Sequence, residues 1–110
     1  MSAIFYNVTA SFREAGVCER YIAWLSGGHV QAVIAGGATS AEIARVDVAS
    51  TDHYEARVQV RYVFVSRADL DRYVREVAPG LRAEGVALWG GVAVFERTVG
   101  EVVGTFGQSE

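Results

Sequence analysis

Two histidines, one cysteine and a set of arginines are the side chains of this 110-residue chain best suited to chemistry. His29 follows a segment carrying Trp24, and imidazole titrates near neutral pH, so His29 is a candidate catalytic base or ligand anchor. The competing reading is a helix-end histidine bonded to a carbonyl or water. Asn7, Thr9, Arg57, Gln59 and Arg61 share one phase of two alternating segments, which puts all five on one face of a sheet. Asn7 or Arg61 is there a catalytic candidate for stabilising a developing oxyanion, and Thr9, Arg57 and Gln59 are candidates for binding a ligand's oxygens. The alternative is a network of ion pairs with a second copy, with Glu55 and Glu96 as acceptors. Tyr21, Trp24, Tyr73 and Trp89 suit either a ligand wall, for which Trp24 is the first candidate, or a packed core. His53 lies in a turn between Asp52 and Tyr54, where exposure is ordinary. Cys18 falls in an apolar stripe as a small hydrophobe.

The elements that hold these residues are legible from periodicity. Residues 3–12 alternate Ile4, Tyr6, Val8, Ala10 and Phe12 against Phe5, Asn7, Thr9 and Ser11, the period of a strand. From Glu14 to Ser26 the apolar residues fall on one side of a helix, and His29 to Ala35 add a further turn before Gly36 and Gly37. Residues 42–48 alternate again, and Ser50 to Asp52 make a turn into the clearest strand, with Tyr54, Ala56, Val58, Val60, Tyr62 and Phe64 on one face. Ser66 with Asp69 predicts a capped helix start, and Pro79 predicts a break before a second helix reaching Leu88. Residues 92–103 form a last strand whose inward phase the pattern does not fix, and a polar tail begins at about 104.

Composition narrows the classes. Hydrophobic residues make up 51% and charged residues 21%, as in a globular domain, and the length fits a single domain spanning 1–110. A net charge of −3 argues against nucleic acid as a partner, and no apolar run is long enough to span a membrane. All ten basic residues are arginine, which excludes Schiff-base and P-loop lysine chemistry. The glycines lack the spacing of a nucleotide-binding loop, and the His, Cys, Asp and Glu residues lack metal-ligand spacing, so no cofactor and no metal are expected. One cysteine and an N-terminus without signal-peptide character suggest a reducing, cytoplasmic setting.

The order strand, helix, strand, strand, helix, strand predicts a ferredoxin-like βαββαβ α+β fold, a four-stranded antiparallel sheet with both helices on one face. The other face, with Phe5, Thr9, Val63 and Val65 beside charges, predicts a homodimer in which two sheets face one another. Tyr6, Asn7, Val8 and Thr9, the helix with Trp24 followed by His29, the Tyr54 to Tyr62 strand, and the Ser66, Arg67, Ala68, Asp69, Leu70 helix start resemble a family of short bacterial proteins of unknown function. That family is similar to the dimeric α+β-barrel superfamily, which includes antibiotic-biosynthesis monooxygenases and muconolactone isomerases. The resemblance covers residues 3–103 and carries no catalytic signature. It implies a cavity, between helices and sheet or at the dimer interface, that admits a small hydrophobic or aromatic molecule. The resulting expectation is a cytoplasmic homodimeric barrel that binds such a molecule. Alternatives are a cofactor-independent monooxygenase or isomerase acting on an aromatic or enol-forming substrate, and a non-catalytic interaction module.

Overall fold

The computed structural model describes residues 2–108. Strand β1 (Ile4–Phe12) leads into helix α1 (Ala15–Trp24), a wide turn over Leu25–His29 and helix α2 (Val30–Ala35). Strands β2 (Ser40–Val46) and β3 (Ala56–Phe64) follow, then α3 (Arg67–Glu76), α4 (Ala78–Trp89) and β4 (Ala93–Glu101). All strand pairs are antiparallel in the order β2-β3-β1-β4, the ferredoxin-like arrangement that the element order predicts.

Register gives each face its character. On the helix side lie Ile4, Tyr6, Ala10 and Phe12 from β1 and Val58, Val60, Tyr62 and Phe64 from β3, all buried. They form one core with Val17, Cys18, Tyr21, Leu25, Val33, Leu70 and Tyr73 from the helices. Pairing of Val8 with Arg97 and of Ala10 with Phe95 settles the phase of β4, so Ala93, Phe95, Arg97 and Val99 point toward the helices.

Two local details depart from the periodic reading, and the predicted cap and break at Ser66 and Pro79 are present. The first helix does not stop at Ser26: it passes through Leu25–His29 into α2, kinked at Gly28, whose φ of 147° suits a residue without Cβ. Strand β2 starts two residues early because its ladder opens at Ser40 opposite Val63, after Thr39 N–H has bonded the Val63 carbonyl at 2.7 Å. Ser66 caps α3 by accepting from Asp69 N–H at 3.3 Å, while its hydroxyl donates to the Asp69 carboxylate at 3.1 Å. Pro79 separates α3 from α4 and lies in the first turn of α4, where its missing N–H would have had no helical partner.

Phe64 is fully buried and its ring centroid lies 5.4 Å from that of Tyr73, tying β3 to α3. Phe64→Ala is expected to lower stability by about 3–5 kcal/mol in urea unfolding. A loss below about 1 kcal/mol, within the range of surface substitutions, would place the core elsewhere.

Candidate functional site

The helices and the sheet do not close on one another completely. A cavity of about 60 Å³ remains, floored by Tyr6 and Val8 of β1, Val60 and Tyr62 of β3 and Phe95 and Arg97 of β4. Tyr21, Trp24 and His29 wall one side, and Tyr73 of α3 the other. Helix α4 roofs it through Ala78, Leu81, Arg82, Gly85, Val86 and Trp89, spaced to fall on one helical stripe.

Aromatic rings make most of this wall. The His29 imidazole stacks on Trp24 at 4.2 Å, Trp24 stacks on Tyr21 at 5.8 Å, and Trp89 meets Tyr21 edge-on at 5.4 Å. Two buried nitrogens in the wall, His29 Nδ1 and Trp89 Nε1, have no hydrogen-bond partner among the described residues. The Tyr6 hydroxyl accepts a hydrogen bond from Arg97 Nε at 3.1 Å.

Burial sets the protonation of the site. It lowers the His29 pKa below the ordinary 6.5, with Glu84 opposing it, so the ring is neutral at pH 7. Burial likewise pushes the hydroxyls of Tyr21 and Tyr73 up to about 12, and that of Tyr62 upward, so all three remain O–H donors. One base in a ring of donors suits holding an oxygen-bearing molecule and exchanging a proton with it.

The residues singled out in the sequence divide between the two faces of the sheet. Trp24 and His29 line the cavity, with Tyr21, Tyr73 and Trp89. Asn7, Thr9, Arg57, Gln59 and Arg61 share the opposite face, so the sheet stands between His29 and the pair Asn7 and Arg61. On that face Arg57 donates to Ser11 Oγ at 2.8 Å and pairs with Asp52 at 3.3 Å, Arg61 lies 4.7 Å over the Phe5 ring, and Asn7 Oδ1 is buried without a partner. His53 lies in its exposed turn against Arg13, and Cys18 is buried in the core. Among the described residues no group of three or more His, Cys, Asp or Glu is placed to hold a metal ion. No helix there is long and apolar enough to cross a membrane.

Four cavity residues escape sequence reasoning: Tyr6, Tyr62, Arg82 and Arg97. The tyrosines read as core. Arg97 needs the β1–β4 register to be placed, and Arg82 needs the α4 stripe. A second groove of about 460 Å³ runs between Ser11–Glu14 and Gly90–Val94, but its Ser11 hydroxyl is committed to Arg57 and it lacks the enclosing aromatic wall.

The depressed His29 pKa carries a sign. Above pH 6.5 the ring is neutral in folded and unfolded chains alike; below it the unfolded chain binds the proton more tightly, so stability falls as pH drops. His29→Gln is therefore expected to narrow the stability gap between pH 7 and acid, measured by urea unfolding across pH. A gap equal to that of the wild type would show that the imidazole titrates freely.

The overall geometry is shared with solved structures of low sequence identity. It is similar to a dimeric ferredoxin-like protein from an uncultured marine organism, with 18% identity over 96% of this chain and 100% of that chain and a TM-score of 0.76. It is similar to SnoaB, a cofactor-independent oxygenase from Streptomyces nogalater, with 10% identity over 98% of this chain and 100% of that chain and a TM-score of 0.71. A protein of the ethyl tert-butyl ether d (EthD) family from Bacillus halodurans matches with 9% identity over 90% of this chain and 99% of that chain at a TM-score of 0.63. No curated protein matches the chain. At these identities the likeness is one of fold. The family described as Domain of unknown function (DUF4286) matches residues 3–103, nearly the whole of the sequence, and the chain belongs to that family.

Proposed function

We propose that this protein is a homodimer that binds a small hydrophobic or aromatic molecule in the cavity between the helices and the sheet. The observation that carries this reading is the pair of buried, unpartnered nitrogens, His29 Nδ1 and Trp89 Nε1, set in an aromatic wall around unfilled space. Burying a polar atom without a partner costs roughly 1–3 kcal/mol, which a ligand that bonds it would offset. Trp24 stacks on His29 and is the aromatic contact for the ligand's ring.

Catalysis is a second reading that one observation favours. A neutral histidine inside the cavity is a base poised to take a proton from an activated C–H or O–H, leaving an anion that surrounding donors stabilise. That step is common to an isomerase, which returns the proton elsewhere on the substrate, and to a cofactor-independent oxygenase, for which dioxygen is the oxidant. SnoaB, which shares the fold, is described as such an oxygenase.

Assembly falls to the other face. Asn7, Thr9, Gln59 and Arg61, with Arg57 at one end, are proposed to meet a second copy there, with Glu96 on β4 available to a partner's arginine. The dimeric state of the ferredoxin-like neighbour supports this arrangement. The expected setting is the cytoplasm.

Native mass spectrometry of the protein as purified tests occupancy and assembly together: a dimer carrying a discrete extra mass is expected. An empty dimer would shift weight to a non-catalytic interaction module, and a monomer would remove the assembly proposal. Arg61→Ala is expected to raise the dimer Kd by about five- to tenfold in a dilution series, the range of an interface contact worth about 1 kcal/mol or slightly more. An unchanged Kd would free Arg61 from the interface.

A further inference from the structure

We infer that the molecule held in this cavity is an anion: a small acid with one aromatic or conjugated ring, whose negative oxygens lie against the guanidinium groups of Arg97 and Arg82. The inference rests on the proposed function of the cavity and adds the charge of its occupant.

The sign of the cavity is opposite to that of the protein. The chain has 13 acidic residues against 10 arginines, yet the cavity lining contains two arginines and no aspartate or glutamate. Both arginines are exposed along part of their length and reach the cavity rim from apolar-facing phases of their elements. Arg97 lies on the helix-facing phase of β4 between Phe95 and Val99, opposite Val8. Arg82 is the one charged residue on the α4 stripe that continues through Leu81, Val86 and Trp89. Like Arg13, Arg20, Arg61 and Arg67, neither has a carboxylate within ion-pair distance among the described residues, so both are free to meet an acceptor. The contact recorded for Arg97 is neutral: its Nε donates to the Tyr6 hydroxyl, which leaves the terminal nitrogens of the fork for a bidentate acceptor.

Most other polar groups of the wall agree in kind, the neutral His29 ring adding one donor and one acceptor. Trp89 Nε1 is a donor only, and the Tyr21 and Tyr73 hydroxyls stay protonated to high pH, so the wall offers donors and cations to an oxygen anion. Size limits the apolar part. An apolar cavity of about 150 Å³ accepts benzene, so the 60 Å³ left open here holds part of one ring, and the acid extends past the cavity rim.

The probes are benzoate and benzamide, matched in shape and different in charge, titrated against the 110-residue protein with ligand-observed NMR and tryptophan fluorescence. Both tryptophans lie in the cavity wall, so the fluorescence reports on this site. Benzoate is expected to bind about tenfold or more tightly than benzamide, as a charge-assisted bidentate pair requires. Arg97→Met should remove that preference by weakening benzoate far more than benzamide, and Arg97→Lys should retain part of it. Arg82→Met, at an exposed position on α4, gives the same readout where Arg97→Met fails to fold. Equal binding of the two probes would overturn the charge assignment and leave the cavity reading standing. Binding of neither would overturn both, and a benzoate preference that survives both methionine variants would overturn the assignment to these arginines.

Discussion

The position of β1 at the centre of the sheet constrains everything else. It is hydrogen-bonded along its whole length to β3 on one side and β4 on the other, and nine consecutive residues alternate between two unlike environments. A slip of one residue would turn Asn7 and Thr9 into the cavity and Tyr6 and Val8 out of it. Ala10 and Phe12, both fully buried, hold the register because the helices packed on them leave no space for an exchange. Helix cover and strand register therefore support one another, and the two faces of the sheet acquire separate chemistry from neighbouring residues.

Each face carries something it does not satisfy by itself. On the helix side it is two ring nitrogens in an aromatic wall; on the other it is the buried Asn7 Oδ1 beside Arg61 and Phe5. Orphaned buried polar groups are uncommon in folded proteins, and here they occur at a cavity and on a sheet face left open by this chain's helices. A packing optimum would have replaced them with apolar groups of the same shape. Their presence is the feature on which the proposed roles of the two faces rest.

Much of this was legible in the sequence, and the reasons differ by element. Strands β1 and β3 are inner strands with helices on one side, so Ile4 to Phe12 and Tyr54 to Phe64 show an alternation that reads directly. Ser66 and Pro79 act through local backbone chemistry and mark their boundaries within a residue or two. Strand β4 lies at an edge: its inward phase contains Arg97 and Glu101 and its outward phase Val94 and Glu96, so hydrophobicity alone cannot choose between them. That ambiguity hid Arg97. The placement of His29 with Trp24 followed from their short separation, and the alternation of β1 and β3 with both helices on one face already set Asn7 and Arg61 on the far side of the sheet.

Arg97 has a consequence beyond the cavity. Strand β4 leaves one row of backbone N–H and C=O groups without a strand beside it, and such an edge is a template on which further chains can add and grow into fibres. A charge turned inward on the edge strand opposes that growth, because any added strand would extend the apolar layer across a guanidinium that needs water or an acceptor. The side chain that borders the cavity thus also works against strand addition at the β4 edge.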